Sequence, residues 1–210
     1  RPPAWVLAEA MAVRGYAEAH YDASGTRREP ILRLLSVPES TAALPLGPQD
    51  VLCVTGGGKG IAAECAFALA RETGVRLALL GRSQPAADAE LAANLARMEA
   101  AGLVFRYLPA DVTDAAAVHA ALREVESTLG PVTAIVHGAG SNVPQLLSSL
   151  DAAAIRQTLA PKVQGACNVL AAVHPDHLRL FVTFGSIIAR TGMRGEADYA
   201  LANEWLARLT

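Results

Sequence analysis

From residue 51 onward, short apolar runs alternate with amphipathic stretches. The runs are VLCVT (51–55), RLALLG (76–81), FRYLPA (105–110), VTAIVHG (132–138) and LRLFVTF (178–184). Their length and their Val, Leu and Ile content predict strands, most of them buried on both faces. Between them the spacing turns helical: a helix from about Gly60, others over 86–101 and 114–129, a long helical region over 151–173, and a last helix from about 196. In the first of these Ile61, Cys65 and Leu69 recur every four residues and are predicted to face the sheet. Alternation of this kind predicts an α/β fold, a Rossmann-like doubly wound parallel sheet joined by right-handed crossovers.

Residues 1–48 break the pattern. An Ala-rich helical stretch near Trp5–Met11 precedes AEAHYD (17–22) and REPILRLL (28–35), which are separated by Ala23-Ser24-Gly25-Thr26 and predict a hairpin. The Pro, Ser, Thr and Gly content of 38–48 predicts a linker, which puts the boundary near Gln49. The main domain is then 49–210, and 210 residues suffice for one full core with a fragment of a second unit.

Composition narrows the function classes. Eighteen basic against twenty acidic residues give a net charge of −2, so nothing favours nucleic acid as a partner. No apolar run approaches the roughly 18 residues that cross a bilayer, so no membrane is expected. Cys53, Cys65 and Cys167 are odd in number and lie in apolar stretches, which predicts small core residues in a reducing, cytoplasmic setting and neither a disulfide framework nor a metal site. The opening Arg1-Pro2-Pro3 has neither an initiator Met nor a signal-peptide core, and reads as a cut from a longer polypeptide.

Chemistry enters at the first strand's end. Thr55-Gly56-Gly57-Gly58-Lys59-Gly60-Ile61 follows a strand and opens a helix, the order a dinucleotide site requires. Glycines allow a tight turn and close approach to a pyrophosphate, and the free N–H groups at the helix start favour its charge. The spacing resembles the TGxxxGxG loop of short-chain dehydrogenases, with Ala62 where the last glycine is usual. After the second strand stands Gly81-Arg82-Ser83, where an NAD site tends to present an acid to the ribose. Arg82 and Lys59 would attract a 2′-phosphate that an acid would repel, which favours NADPH; read alone, both are solvated surface cations. Asp111-Val112 and Gly138-Ala139-Gly140 close the third and fourth strands, at the sheet edge where ligand crevices form. His137 is expected to be a strand-end residue rather than a catalyst.

The stretch FGSIIARTGMRGEADYALANEWL carries the strongest signal. Ser186 follows a strand, Tyr199 comes thirteen residues later, and Asn203 lies four beyond it on one helix face. This resembles the short-chain dehydrogenase/reductase active site, except that Asn203 stands where free-standing members usually carry lysine. Ketoreductase domains of type I polyketide synthases carry this exchange, with the lysine on the preceding long helix, where Lys162 lies in Ala160-Pro161-Lys162-Val163-Gln164-Gly165. The resemblance covers roughly residues 50–210. The wording of the glycine loop, Leu80-Gly81-Arg82-Ser83 and Gly195-Glu196-Ala197-Asp198-Tyr199 is most similar to iterative synthases of the enediyne or polyunsaturated fatty acid kind.

The resemblance implies NADPH-dependent reduction of a β-ketoacyl thioester on an acyl carrier protein, within a synthase whose other domains are further partners. Tyr199 would donate the proton and Ser186 would orient the carbonyl. Lys162 would support Tyr199, and Asn203 would hold Lys162 and a water. A phenol titrates near pH 10, far from a useful general acid; a cation about 5 Å from a phenol oxygen favours the phenolate by roughly 3 kcal/mol at an effective dielectric of about 20. The family places further strands and a substrate lid after the catalytic helix, so with Thr210 eleven residues past Tyr199 the fold is expected to be C-terminally incomplete, and 1–48 a remnant of a structural subdomain plus linker. The stereochemical markers of the family are absent: Ser141-Asn142-Val143-Pro144-Gln145 replaces a Leu-Asp-Asp loop, and Thr191 stands where a tryptophan marks the opposite class. Trp205 fits either an acyl channel or core packing. A free-standing reductase of a small ketone and a non-catalytic scaffold domain remain as alternatives.

Overall fold

In the computed structural model, which describes residues 2–15, 17–36 and 44–210, the chain divides into two units, Arg1–Ala43 and Leu44–Thr210. The first unit has a helix α1 (Pro2–Ala12) and two short antiparallel strands, β1 (His20–Tyr21) and β2 (Arg27–Arg28). Asp22 builds the turn between them, its Oδ1 accepting from the N–H groups of Ser24 and Thr26, and Trp5 stacks on Tyr21 with ring centroids 5.0 Å apart. The hairpin expected over 17–35 stops at Arg28. Pro30 has no N–H to pair, and Ile31, Leu32, Leu34 and Leu35 follow in irregular, exposed chain. Of the expected linker, 38–43 lie outside the described residues, whereas Leu46 is buried in the core of the second unit.

That unit holds β3 (Val51–Thr55), α2 (Gly60–Thr73), β4 (Arg76–Gly81), α3 (Ala89–Ala100), β5 (Phe105–Pro109), α4 (Ala115–Thr128) and β6 (Ala134–His137). After a loop come α5 (Ala152–Leu159), a π turn (Ala160–Gln164), α6 (Gly165–Ala171), β7 (Leu180–Thr183), α7 (Ile188–Thr191) and α8 (Ala197–Leu209). The sheet is parallel throughout, in the order β5-β4-β3-β6-β7. Every predicted strand and long helix is present, with ends moved by a few residues. The helical region over 151–173 is interrupted by the π turn, at Pro161, whose missing N–H breaks the α ladder. The short α7 was not expected from the pattern.

Alternate residues of each strand face opposite sides, and both sides are covered. Val51, Cys53, Ala78, Leu80 and Ile135 pack with Val118, Leu122 and Val125 of α4 and Val169 of α6. Leu52, Val54, Leu77, Leu79 and Val136 pack with Ala62, Ala63, Ala66 and Ala70 of α2 and Met98 of α3. Of the stripe expected at Ile61, Cys65 and Leu69, Leu69 is partly buried against this core, but Ile61 is 76% exposed, and the alanines one position on are the buried residues facing the sheet, their small side chains letting the helix lie close. The cysteine expectation holds for Cys53, whose thiol burial pushes up to about 12, but not for Cys167, which is exposed because α6 turns Ala166 and Val169 inward instead. Among the described residues no helix is long and apolar enough to cross a membrane, and no cluster of His, Cys, Asp or Glu suits a metal ion.

Candidate active site

The strand order reverses direction between β3 and β6, and a crevice opens where their carboxyl ends diverge. The glycine loop leaves β3 at Gly56, with φ +69°. A Cβ there would come within 3.2 Å of the Gly138 and Ala139 backbone, so the loop and the 138–140 turn meet along bare main chain. A cleft of about 290 Å³ runs from that junction past Gly58, Arg82 and Ser83 to Asp111 and Val112. At the start of α2 the Gly60 N–H donates to the Glu90 carboxylate at 3.1 Å, so this helix end already takes an anionic oxygen. The bare main chain along this edge leaves room for a phosphate-bearing nucleotide.

Two charged groups beside the cleft are not free. Lys59 Nζ lies 2.6 Å from Asp88 Oδ2 and donates to Ser83 Oγ at 3.1 Å. Asp88, held down to about 2 chiefly by Lys59 and by the Leu91 N–H that it caps, was not singled out from sequence. Its position before a helix marks a cap and nothing marks the ion pair. Lys59 is thus paired with Asp88, and Arg82 is the other cation lining the cleft. Burial would raise the Asp111 carboxyl, but the Thr113 N–H and hydroxyl, with the field of Arg82, hold it below its ordinary value.

His137, buried at the end of β6, ties the floor together. Its Nε2 lies 3.1 and 3.0 Å from the carbonyl oxygens of Pro161 and Lys162, so that nitrogen carries the proton, and Nδ1 accepts from the Thr55 hydroxyl at 2.8 Å. Thr55 Oγ1 in turn accepts from the Ala139 N–H. Burial, with the Lys162 charge adding to it, lowers the imidazole from 6.5 to about 4. The unfolded chain therefore binds the extra proton first, so this contribution is complete above pH ~6.5 and is lost as pH falls toward 4. From that lowering we expect about 3 kcal/mol of unfolding free energy to disappear between pH 7 and 4. Urea melts of His137→Gln across that range should show a flatter dependence; equal slopes would contradict the assignment.

The departure at Ala62 is matched across the crevice. A Cβ on Gly138 would stand 2.9 Å from the Ala62 Cβ and 3.0 Å from the Thr55 carbonyl oxygen. Gly138→Ala is expected to lower stability by about 1–3 kcal/mol, visible as a reduced melting temperature. An unchanged melt would show that the contact relaxes freely.

A second cleft, of about 340 Å³, adjoins the first through Gly56, Lys59, Gly138 and Gly140, and is lined by the exposed Ile61, Lys162, Phe184 and Tyr199. The π turn presents Lys162 inward: it is 5% exposed, its Nζ donates to the Phe184 carbonyl at 3.0 Å and lies 5.5 Å from the Tyr199 ring centroid. Burial lowers its pKa. Ser186 sits one residue beyond the lining Gly185, its Oγ accepting from the Ile188 N–H at 3.2 Å. Asn203 is fully buried, but its amide does not hold Lys162. Nδ2 donates to the Tyr199 carbonyl one turn back at 2.8 Å, a bond local helical geometry offers at once. Trp205 is 52% exposed, which removes the core-packing alternative.

Residues 51–210 match the family model described as the KR domain. The chain belongs to this ketoreductase domain family. Its fold is that of the short-chain dehydrogenase/reductase superfamily. It is 30% identical over 173 residues to polyketide synthase PksN of Bacillus subtilis strain 168, which covers 82% of the chain and 3% of PksN. Among solved structures it is similar to a ketoreductase domain from the bacillaene assembly line (29% identity, TM-score 0.73, 89% of this chain and 44% of that one). It is also similar to a blue fluorescent protein from a metagenomic library, solved with NADPH (28% identity, TM-score 0.68, 77% and 66%). The chain thus spans a small fraction of the curated synthase it matches. Within the KR domain, the first cleft gathers Gly56, Gly58, Lys59, Arg82, Ser83, Asp111, Val112 and the 138–140 turn, Gly60 opens α2 beside it, and Thr55 lies buried beneath.

Proposed function

We propose that this domain reduces a β-ketoacyl thioester, presented on an acyl carrier protein of the same synthase, to the β-hydroxyacyl thioester, with NADPH as the cofactor and a cytoplasmic setting. The observation that carries this reading is the buried Lys162 ammonium set against the Tyr199 ring at the floor of a cleft continuous with the nucleotide cleft. The glycine loop and the 138–140 turn would hold the nucleotide, with Arg82 and Ser83 at its 2′-phosphate; the similarity to a protein solved with NADPH supports the same choice. The bound nicotinamide supplies a hydride. Tyr199 donates a proton to the substrate oxygen, and Lys162, fixed by the Phe184 carbonyl, stabilises the phenolate left behind. The Ser186 hydroxyl accepts from Ile188 N–H and keeps its own proton to donate to the same substrate oxygen. Asn203, bound to the Tyr199 carbonyl, steadies the turn that carries the phenol.

The test is NADPH absorbance followed with the protein carrying this domain, a β-ketoacyl thioester, and separately a small cyclic ketone. Oxidation with the thioester is the expected result. Oxidation with the cyclic ketone alone would favour a free-standing type of reductase. Bound cofactor with no oxidation by either would leave a scaffold domain.

A further inference from the structure

We propose that Thr158 and Asp198 are positioning residues that set the separation between Lys162 and Tyr199, an inference that rests on reading those two as the proton-handling pair. The Thr158 hydroxyl donates to Asp198 Oδ2 at 2.6 Å, and both residues are 4% exposed. Thr158 stands on α5 four residues before Lys162, and Asp198 immediately precedes Tyr199 at the start of α8. One hydrogen bond therefore joins the two helices at the level of the pair. A hydroxyl-to-carboxylate bond shielded from water is among the stronger kinds. Asp198 Oδ1 has no partner among the described residues, so losing Thr158 would strand the buried carboxylate further.

Both helices need an outside anchor here. Lys162 rides on the π turn at Pro161, where the α ladder does not fix its height. His137 holds that turn through the carbonyls of Pro161 and Lys162, and the Thr158–Asp198 bond ties the helix leading into it to α8. On α8 the need is equal. The helices α3, α4 and α5 start on capping aspartates, Asp88, Asp114 and Asp151, whereas α8 starts at Glu196 without a side-chain cap. The Asp198 carboxylate, in the first turn and favoured by the helix dipole, is what fixes that turn against α5.

Thr158→Val removes the donor and keeps the volume. Its kcat is expected to fall about 10- to 100-fold, as an ångström-scale misplacement does, while the cofactor Kd read by fluorescence stays within about twofold. Thr158→Ser, which restores the hydroxyl, and Asp198→Asn, whose amide oxygen still accepts, should keep kcat within about threefold. A Thr158→Val kcat within about twofold of the unaltered protein, or an equal fall in Thr158→Ser, would overturn the proposal. Should Thr158→Val fail to fold, Thr158→Cys carries the same expectations, since a thiol fills the space and donates weakly. If the unaltered protein oxidises no NADPH, the functional reading has failed instead. The clamp is then judged by crystal structures alone: the Lys162–Tyr199 separation, 5.5 Å with the clamp intact, should change by about an ångström in Thr158→Val, and an unchanged separation overturns it.

Discussion

Tyr199→Phe is expected to lower kcat by about 1000-fold or more while the cofactor Kd stays within about twofold. The substitution removes one oxygen from a half-buried ring that lines the second cleft and not the one proposed for the nucleotide. Positioned general acids contribute roughly 100- to 10,000-fold, and no second hydroxyl replaces this one: Ser186 can orient the substrate oxygen, but as an ordinary alcohol it is a far poorer proton donor. The packing of α8 should be unaffected, because Asn203 binds the Tyr199 carbonyl and not its ring. Steady-state kinetics beside a fluorescence titration of the cofactor separate the cases. Full turnover would remove Tyr199 from the chemistry, and lost binding would make it a structural residue.

On the proposed NADPH reading, Arg82→Glu should raise the KM for NADPH about 100-fold with little change for NADH. The size follows from the ion pair already in place. Lys59 is paired with Asp88 2.6 Å away, so on the proposed reading Arg82 would supply the charge for the 2′-phosphate, and a charge-assisted hydrogen bond contributes roughly 1.5–3 kcal/mol, or about tenfold to 100-fold. Lys59→Ala should change the same KM only a few-fold. A larger effect from Lys59 than from Arg82 would show that the Asp88 pair opens when the nucleotide binds.

The sheet was legible because its strands are short apolar runs, and both faces of such strands must be covered. Residue type and spacing also pointed to the residues that line the two adjoining clefts, among them the glycine loop, Lys162 and Tyr199. The misses have other causes. The period that suggested Ile61 as a sheet-facing residue ignored how closely an alanine stripe can approach, and Ala62, Ala66 and Ala70 took that face. Asp88 and Asp198 act through partners 29 and 40 residues away in sequence, which no local pattern encodes. Asn203 was expected at Lys162 but bonds within its own helix, where the carbonyl of Tyr199 is already in reach. The hairpin near the start was overextended because Pro30 ends the pairing that the apolar residues after it suggested.

Isotope transfer tests the carbonyl-reduction centre most directly. With NADPH deuterated at the transferable position of the nicotinamide and a β-ketoacyl thioester on its carrier protein, mass spectrometry of the product reads the outcome. One deuterium at the β carbon of a β-hydroxyacyl chain is the expected result, and its loss in Tyr199→Phe would tie the transfer to this cleft. An acyl chain recovered unreduced and without deuterium, from protein shown to bind the cofactor, would contradict it.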